Sequence, residues 1–211
     1  VGKNALSFRH LVDDEPLLFH TGPRKLFPLV RGAIERVMPL AKLRHVAFSH
    51  FEADECGALN EFLAAAPSAV AVCSGIGAMT SVGDLADRPP RAMADGEELR
   101  LGRHTVRWLD TPHMPHGWDC GFLFEKSTAT LLCGDLFTQG GADHEPVTER
   151  DILPAALAAH GMFDYFAHSR DSAKHFDKLI ATKPRLLACM HGASWRGDGA
   201  DKLRSLARAL T

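Results

Sequence analysis

The pattern of apolar and polar positions along the chain predicts a mixture of short strands and helices. Short apolar runs bounded by turn residues predict strands at 5–12, 16–20, 44–48, 69–73, 98–101, 105–109, 121–125, 130–133 and 186–190. Apolar residues at helical spacing predict helices at 23–37, 57–65, 151–160, 169–182 and 199–210. Strands grouped with interspersed helices indicate layered sheets covered by helices, and we expect a single domain over residues 1–211.

Composition narrows the class of protein. The chain has 211 residues, of which 45% are hydrophobic and 24% charged, which is enough for one sizeable core. A net charge of −2 without a basic tract gives no electrostatic reason to expect nucleic acid as a partner. No apolar run approaches the roughly 18 residues that a membrane span needs, so we expect no membrane segment.

Cysteine and histidine usage adds two further indications. The five cysteines are scattered, odd in number and form no CxxC pair, so we expect reduced thiols in a cytoplasmic protein. Twelve histidines are many for a chain of this length, and they are the one compositional indication of a metal site.

The first candidate metal residues follow the predicted strand 44–48. His50, Glu52 and Asp54 are spaced two residues apart. Extended backbone sends alternate side chains to one face, so we expect all three to converge there. One imidazole with two carboxylates forms a hard, oxygen-rich site, which favours iron or manganese over a thiolate zinc site.

Further residues with ligand chemistry follow later predicted strands. His113 and His116 lie in a proline-containing loop after strand 105–109, Asp135 follows strand 130–133, and His191 follows strand 186–190. Strand ends hold ligands rigidly, while the adjoining loop leaves a coordination position open. The order HxExD, loop His, GD and HG is far more specific than any one of its parts.

This order resembles the metallo-β-lactamase superfamily, and within it the diiron domain of flavodiiron proteins and the related stand-alone oxygen-binding diiron proteins. Hydrolases of the superfamily carry HxHxDH, whereas the flavodiiron branch carries HxExDH. This chain has His50, Glu52 and Asp54 at the matching positions, and Glu55 where that branch has its second histidine. The resemblance covers most of the chain but does not include the flavodoxin domain of full flavodiiron proteins. It implies an αββα sandwich with metals at one edge between the sheets.

The resemblance also implies a ligand set. The first metal takes His50, Glu52 and His116, the second takes Asp54 and His191, and Asp135 bridges them. His113 is the alternative to His116, because the loop before His116 is one residue longer than the family pattern. Glu55 removes an imidazole from the second site, and it is either a carboxylate ligand or an outer partner that orients one.

Three functions remain open from the sequence. The resemblance implies two metal ions, iron first with zinc or manganese as alternatives, that bind or reduce dioxygen or nitric oxide with electrons from an external donor. The second function is a metal-dependent hydrolase of a small-molecule ester, lactone, thioester or phosphoester, and the third is a non-catalytic sensor or scaffold with a degraded second site. We expect Asp54 and Glu55 to carry the catalytic roles, and we expect a homo-oligomer.

Overall fold

A first β-sheet is built from the N-terminal part of the chain in the computed structural model, which describes residues 6–210. Its strands are β1 (Arg9–Leu11), β2 (Leu17–Phe19), β3 (His45–Ala47), β4 (Val70–Ser74) and β5 (Arg91–Met93). They lie side by side in chain order. The pair β1–β2 is antiparallel, and β2 to β5 are parallel to one another.

The second sheet faces the first. Its strands are β6 (Glu98–Arg100), β7 (Thr105–Asp110), β8 (Gly121–Glu125), β9 (Thr130–Gly134), β10 (Val147–Thr148), β11 (Leu186–Cys189) and β12 (Ser194–Arg196). The spatial order is β10-β12-β11-β9-β8-β7-β6. Because β9 and β11 are parallel neighbours, both end at the same edge of the sheet.

Helices cover the outer side of each sheet. They are α1 (Phe27–Glu35), α2 (Ala53–Cys56), α3 (Leu59–Ala65), α4 (Gly75–Gly77), α5 (Gly83–Leu85), α6 (Leu153–Phe163), α7 (Ser172–Ala181) and α8 (Gly199–Leu210). Single 3₁₀ turns lie at Arg24–Leu26 and Leu40–Lys42, and a π-helical segment, Ala78–Val82, joins α4 to α5. Within residues 6–210, none of these helices combines the length and the apolar composition needed to cross a membrane.

Three apolar clusters hold the layers together. The cluster between the sheets includes Phe19 of β2 and Trp108 of β7, both almost completely buried. A second cluster joins the first sheet to α1 and α3, and a third joins the second sheet to α6, α7 and α8. Side chains that alternate along each strand therefore face two different cores, and the predicted αββα sandwich is confirmed.

The long apolar runs are predicted well and the short edge strands are not. The predictions 105–109, 121–125 and 130–133 agree with β7, β8 and β9 to within one residue. Strand β5 lies in the stretch 74–97, for which the sequence pattern predicts no single type of element, and β10 and β12 were not predicted either. Two or three residues are too few to show a period of two, so pairing with neighbours decides these strands. The prediction 5–12 begins outside the described residues.

Candidate metal centre

The candidate metal residues lie beyond the ends of strands from both sheets. His50 and Glu52 are in the loop after β3, and His116 is in the loop between β7 and β8. Asp135 directly follows β9, and His191 follows β11. The strand ends of the two sheets thus bring residues from distant parts of the sequence to one edge of the sandwich.

A first group of ligand-type side chains is rich in nitrogen. One ligand atom from each of His50, Glu52, His116 and Asp135 lies within 4.8 Å of the others. Glu52 Oε2 is 2.9 Å from Nε2 of His50 and 3.1 Å from Nε2 of His116. The two imidazole rings meet edge to face, with centroids 4.6 Å apart. The Nε2 atoms of both rings therefore face the same small space.

A second group is rich in oxygen. Ligand atoms of Asp54, Glu55 and His191 also lie within 4.8 Å of one another. His191 Nε2 is 3.3 Å from Asp54 Oδ2, and Glu55 is fully buried. This group offers one imidazole and two carboxylates, so it suits a harder cation than the first group does.

Asp135 lies between the two groups and directs one oxygen to each. Its Oδ2 is 3.7 Å from His116 Nε2 and 4.0 Å from His50 Nε2. Its Oδ1 is 3.3 Å from His191 Nε2. A carboxylate shared in this way is suited to bridge two cations.

The prediction that His50, Glu52 and Asp54 share one face of an extended strand is wrong. Residues 49–51 form a bend, and α2 begins directly after Glu52. The acidic side chains of Asp54 and Glu55 lie in the first turn of α2, where the helix dipole favours negative charge. The helical turn separates Asp54 from His50, so the motif serves both groups instead of one. The helix predicted at 57–65 is α3, which begins at Leu59, and the separate short helix α2 before it was not predicted.

The structure distinguishes the two histidines of the proline-containing loop. His116 lies in the first group, and its Nδ1 donates a hydrogen bond to the backbone oxygen of Tyr165 at 3.0 Å. His113 is exposed, has a left-handed φ of 66° and lies in neither group. Of the two, His116 is the one placed to hold a metal.

Hydrogen bonds behind the site fix the orientation of His50. Its Nδ1 is 2.9 Å from Ser49 Oγ, which is in turn 3.1 Å from Nε2 of the buried His20. The backbone N–H of Ser49 also donates to His20 Nε2, so that nitrogen is an acceptor. When a metal takes His50 Nε2, the consistent proton arrangement runs from His50 Nδ1–H to Ser49 and from the Ser49 hydroxyl to His20.

Sequence reasoning assigned no role to His20, Ser49 or Asp119. His20 closes the predicted strand 16–20, so the rule that found the other strand-end histidines could have found it. Asp119 is buried, and its Oδ2 accepts a hydrogen bond from the Phe51 N–H at 2.8 Å, which holds the bend beside His50. No spacing signal in the sequence indicates that contact.

Protons balance the negative charge of the site. Burial opposes protonation of His191, but the nearby carboxylates Asp135 and Asp54 outweigh it and raise its pKa to about 10. Hydrogen bonds from His116 and then His50 lower the pKa of Glu52 to about 2. Burial, and next the charge of Asp135, raises the pKa of Glu55 well above its usual range. The cluster therefore favours added positive charge, which bound cations supply.

Unpartnered oxygens support the same conclusion. Among the described residues, both carboxylate oxygens of Glu55 and Oδ1 of Asp135 are buried without a hydrogen-bond partner. Buried polar atoms are nearly always satisfied, and leaving one unsatisfied costs about 1–3 kcal/mol. These oxygens, with the imidazole nitrogens beside them, form a donor set that fits two metal ions.

Comparison with known proteins agrees with this geometry. The family model described as ODP family beta lactamase matches residues 5–192. The chain belongs to the ODP family. This family match extends from the first sheet to His191 and so includes every candidate ligand.

Individual proteins and solved structures from several organisms are similar to this ODP-family chain. Rubredoxin-oxygen oxidoreductase of Megalodesulfovibrio gigas is 28% identical over 200 residues, covering 89% of this chain and 48% of that protein. The structure of the rubredoxin oxygen:oxidoreductase from Desulfovibrio gigas aligns with a TM-score of 0.83 at 20% identity, over 97% of this chain and 53% of that one. The Giardia intestinalis flavodiiron protein aligns with a TM-score of 0.82 at 18% identity, over 98% of this chain and 52% of that one. This ODP-family chain thus shares their fold and spans about half the length of these proteins.

Proposed function

We propose that this chain holds two iron ions and uses them to bind or reduce a diatomic gas, dioxygen or nitric oxide. The position of Asp135, with one oxygen directed to each of two ligand groups, is the observation that carries the proposal. Similarity to rubredoxin-oxygen oxidoreductase supports it. The name of this relative supports a reaction with dioxygen, and the two ligand groups are the site that we propose for it.

Seven side chains form the proposed ligand set. The first metal takes His50, Glu52 and His116, the second takes Asp54, Glu55 and His191, and Asp135 bridges them. Two irons bound there supply one-electron redox changes and open coordination positions for a diatomic gas. Glu52 adds negative charge to the first position, and negative ligands favour the ferric state.

The protein's own groups orient and expose the site. Ser49 and the Tyr165 carbonyl hold the two histidines of the first group by their Nδ1 atoms. The side chain of Glu52 is 51% exposed and that of Asp54 is 31% exposed, so the site opens to solvent on their side. Asp54 therefore lies on the solvent side of the second group, while Glu55 lies on its buried side.

Electrons come from an external donor in this proposal. The name of one similar protein, rubredoxin-oxygen oxidoreductase, includes a protein partner, rubredoxin. A soluble one-electron protein of this kind is the class of partner that we propose.

The decisive test is elemental analysis of protein purified without added metal, with visible spectra recorded after dithionite and again after air. The proposal expects about two irons per chain and an absorption band that dithionite removes and air restores. Asp135→Asn should lose at least one of the two irons, while the matched change His113→Ala, in the same loop as His116 but outside both groups, should lose neither.

Other outcomes separate the alternatives. Zinc, or a spectrum that does not respond to redox change, contradicts the iron proposal and supports hydrolysis of an ester, lactone, thioester or phosphoester. One metal per chain contradicts a functional pair and points to Glu55 as the reason for the failed second site. No metal at all supports the scaffold.

A further inference from the structure

Two buried thiols lie in contact on neighbouring strands of the second sheet, close in sequence to two of the proposed ligands. Cys133 on β9 and Cys189 on β11 are 0% and 1% exposed, and their sulfur atoms are 4.0 Å apart. The Cys133 thiol donates to the Cys189 sulfur, and the Cys189 thiol donates to the backbone oxygen of Leu187. Neither sulfur has a role in the proposed ligand set.

The backbone allows these sulfurs to bond. Strands β9 and β11 are parallel neighbours, and the register slips beside Cys189, which pairs with Gly134. Neighbouring strands are about 4.8 Å apart, and disulfides need Cα atoms about 4.4–6.8 Å apart. Both side chains lie in the same apolar cluster on the outer face of the second sheet, so rotation of the two side chains can close the gap.

Each thiol is also two residues from a proposed ligand. Cys133 precedes Asp135 by two positions, and Cys189 precedes His191 by two positions. Two residues of extended chain span at most about 7 Å. The covalent path from each sulfur to the metal centre is therefore short, and it arrives at the bridging carboxylate on one strand and at the second-group histidine on the other.

We propose that Cys133 and Cys189 form an internal two-electron donor to dioxygen at this centre. In the reaction, both S–H bonds break and one S–S bond forms, which releases two electrons and two protons. The irons end in the oxidation state in which they began, so dioxygen accepts only the electrons and protons of the two thiols and leaves as hydrogen peroxide: 2 R–SH + O₂ gives R–S–S–R + H₂O₂. The inference rests on the proposed function in one respect, that dioxygen binds at the metal centre.

Burial gives this pair its selectivity. Oxidation of exposed thiols follows access to solvent, and these two sulfurs have almost none. Dissolved oxidants therefore reach them slowly, whereas electrons can leave along the two short strand segments. The other cysteines, Cys56, Cys73 and Cys120, are buried too and serve as internal references.

The test counts thiols before and after a single exposure to oxygen. Iron-loaded protein is reduced without air, freed of reductant, given one equivalent of dioxygen, quenched in acid, and alkylated with N-ethylmaleimide in denaturant. The inference expects the number of alkylated thiols to fall from five to three. Peptide mapping should find Cys133 and Cys189 in one linked species, lighter by two hydrogens than the separate peptides.

Two variants and a metal-free sample locate the effect. Cys133→Ala and Cys189→Ala should each keep all of their remaining thiols after oxygen, because neither retains a pair. The matched change Cys120→Ala, in the same apolar cluster, should still lose two thiols. Metal-free protein treated identically should keep all five. If a variant does not fold, the wild-type count with and without iron still decides.

The outcomes distinguish this inference from the proposed function. If iron-loaded protein shows its air-dependent band but retains five thiols, the dithiol inference is overturned and the iron centre stands. If the same disulfide forms equally fast in metal-free protein, the thiols react independently of the centre and the inference is again overturned. If no iron binds, the metal analysis has already failed, and the dithiol inference falls with it.

Discussion

The buried position of Glu55 lowers the stability of the metal-free protein but suits the residue to bind a metal. It is completely buried at the first turn of α2, and neither of its oxygens has a hydrogen-bond partner among the described residues. Without a cation, the protein bears the desolvation cost of this group, and burial raises the pKa of the carboxyl well above its usual range. With a cation in the second group, the same oxygens become ligands.

Replacement of Glu55 should therefore change stability and metal content in opposite directions. Glu55→Met should raise the free energy of unfolding of the metal-free protein by about 1–3 kcal/mol, because it removes the unsatisfied buried group. It should also lower the metal content from two ions per chain to one. Urea denaturation and elemental analysis measure the two effects. Glu149→Met, at an exposed carboxylate, should alter neither. A metal-free Glu55→Met protein less stable than wild type would contradict the assignment.

Ser49 tests the importance of the hydrogen bonds behind His50. Ser49→Ala removes the hydroxyl that joins His50 Nδ1 to His20 Nε2. Outer partners of this kind typically change metal affinity by about 10–100-fold, so we expect a loss of that size with the fold preserved. Competition with a chelator measures affinity, and circular dichroism checks the fold. Ser68→Ala, at an exposed serine, is the control. Unchanged affinity would show that packing alone orients the ring.

At the scale of elements, the sequence predicts the strands that long apolar runs form, but it does not predict the bends that distant contacts hold in place. Strands β8 and β9 carry five residues each with almost every position buried, so their pattern is plain. The bend at 49–51 depends on a hydrogen bond from Phe51 to Asp119, a residue 68 positions away. No local pattern contains that contact, so the sequence predicts candidate ligands but not the backbone bend that carries them.

Gly134 shows how one turn joins the sheet to the site. It ends β9 with a left-handed φ of 47°, and an added Cβ would lie 2.9 Å from Ser49 Oγ. Gly134→Ala should cost about 1–2 kcal/mol in backbone strain, and it should also displace Ser49 and weaken metal binding. Thermal unfolding and metal titration measure the two losses. Gly140→Ala has open space around its Cβ and should cause neither. Wild-type metal affinity in Gly134→Ala would separate the turn from the site.

Glu125 stabilises the turn between β8 and β9 and predicts a pH dependence. Burial opposes its ionisation, but hydrogen bonds from Thr128 and Ser127 outweigh burial and lower its pKa to about 2. The folded pKa lies below the unfolded value of 4.5, so the stabilisation is complete above about pH 4.5 and is lost as the pH falls towards 2.

Glu125→Gln should therefore lower stability at pH 7 by about 2 kcal/mol, because it replaces hydrogen bonds to a charged acceptor. The difference from wild type should shrink between pH 4.5 and pH 3, as measured by urea denaturation of the metal-free proteins. Glu149→Gln provides the exposed comparison. A difference that stays constant over this range would show that the turn does not depend on the charge.

At the scale of the whole molecule, the proposed centre connects the two halves of the sandwich. The loop after β3 and helix α2 bring four ligands from the side of the first sheet, namely His50, Glu52, Asp54 and Glu55. Loops of the second sheet bring the other three, His116, Asp135 and His191. In the proposed site, metal ions between these two sets of residues would hold the sheets together at one edge, where the metal-free protein has clustered carboxylates.

Metal binding should consequently stabilise the entire fold, and not the site alone. A ligand that binds only the folded state adds about 2.7 kcal/mol at a hundredfold excess over its dissociation constant. We expect Tm to rise with iron concentration, and amide exchange to slow at the bend 49–51 and at the ends of β9 and β11. The Asp135→Asn protein should show a much smaller rise, because its two ligand groups are no longer joined. Protection confined to the loops, with Tm unchanged, would mean that the sheets are held by their apolar clusters alone. Since the proposed ligands come from both sheets, we expect the stabilisation to extend to both.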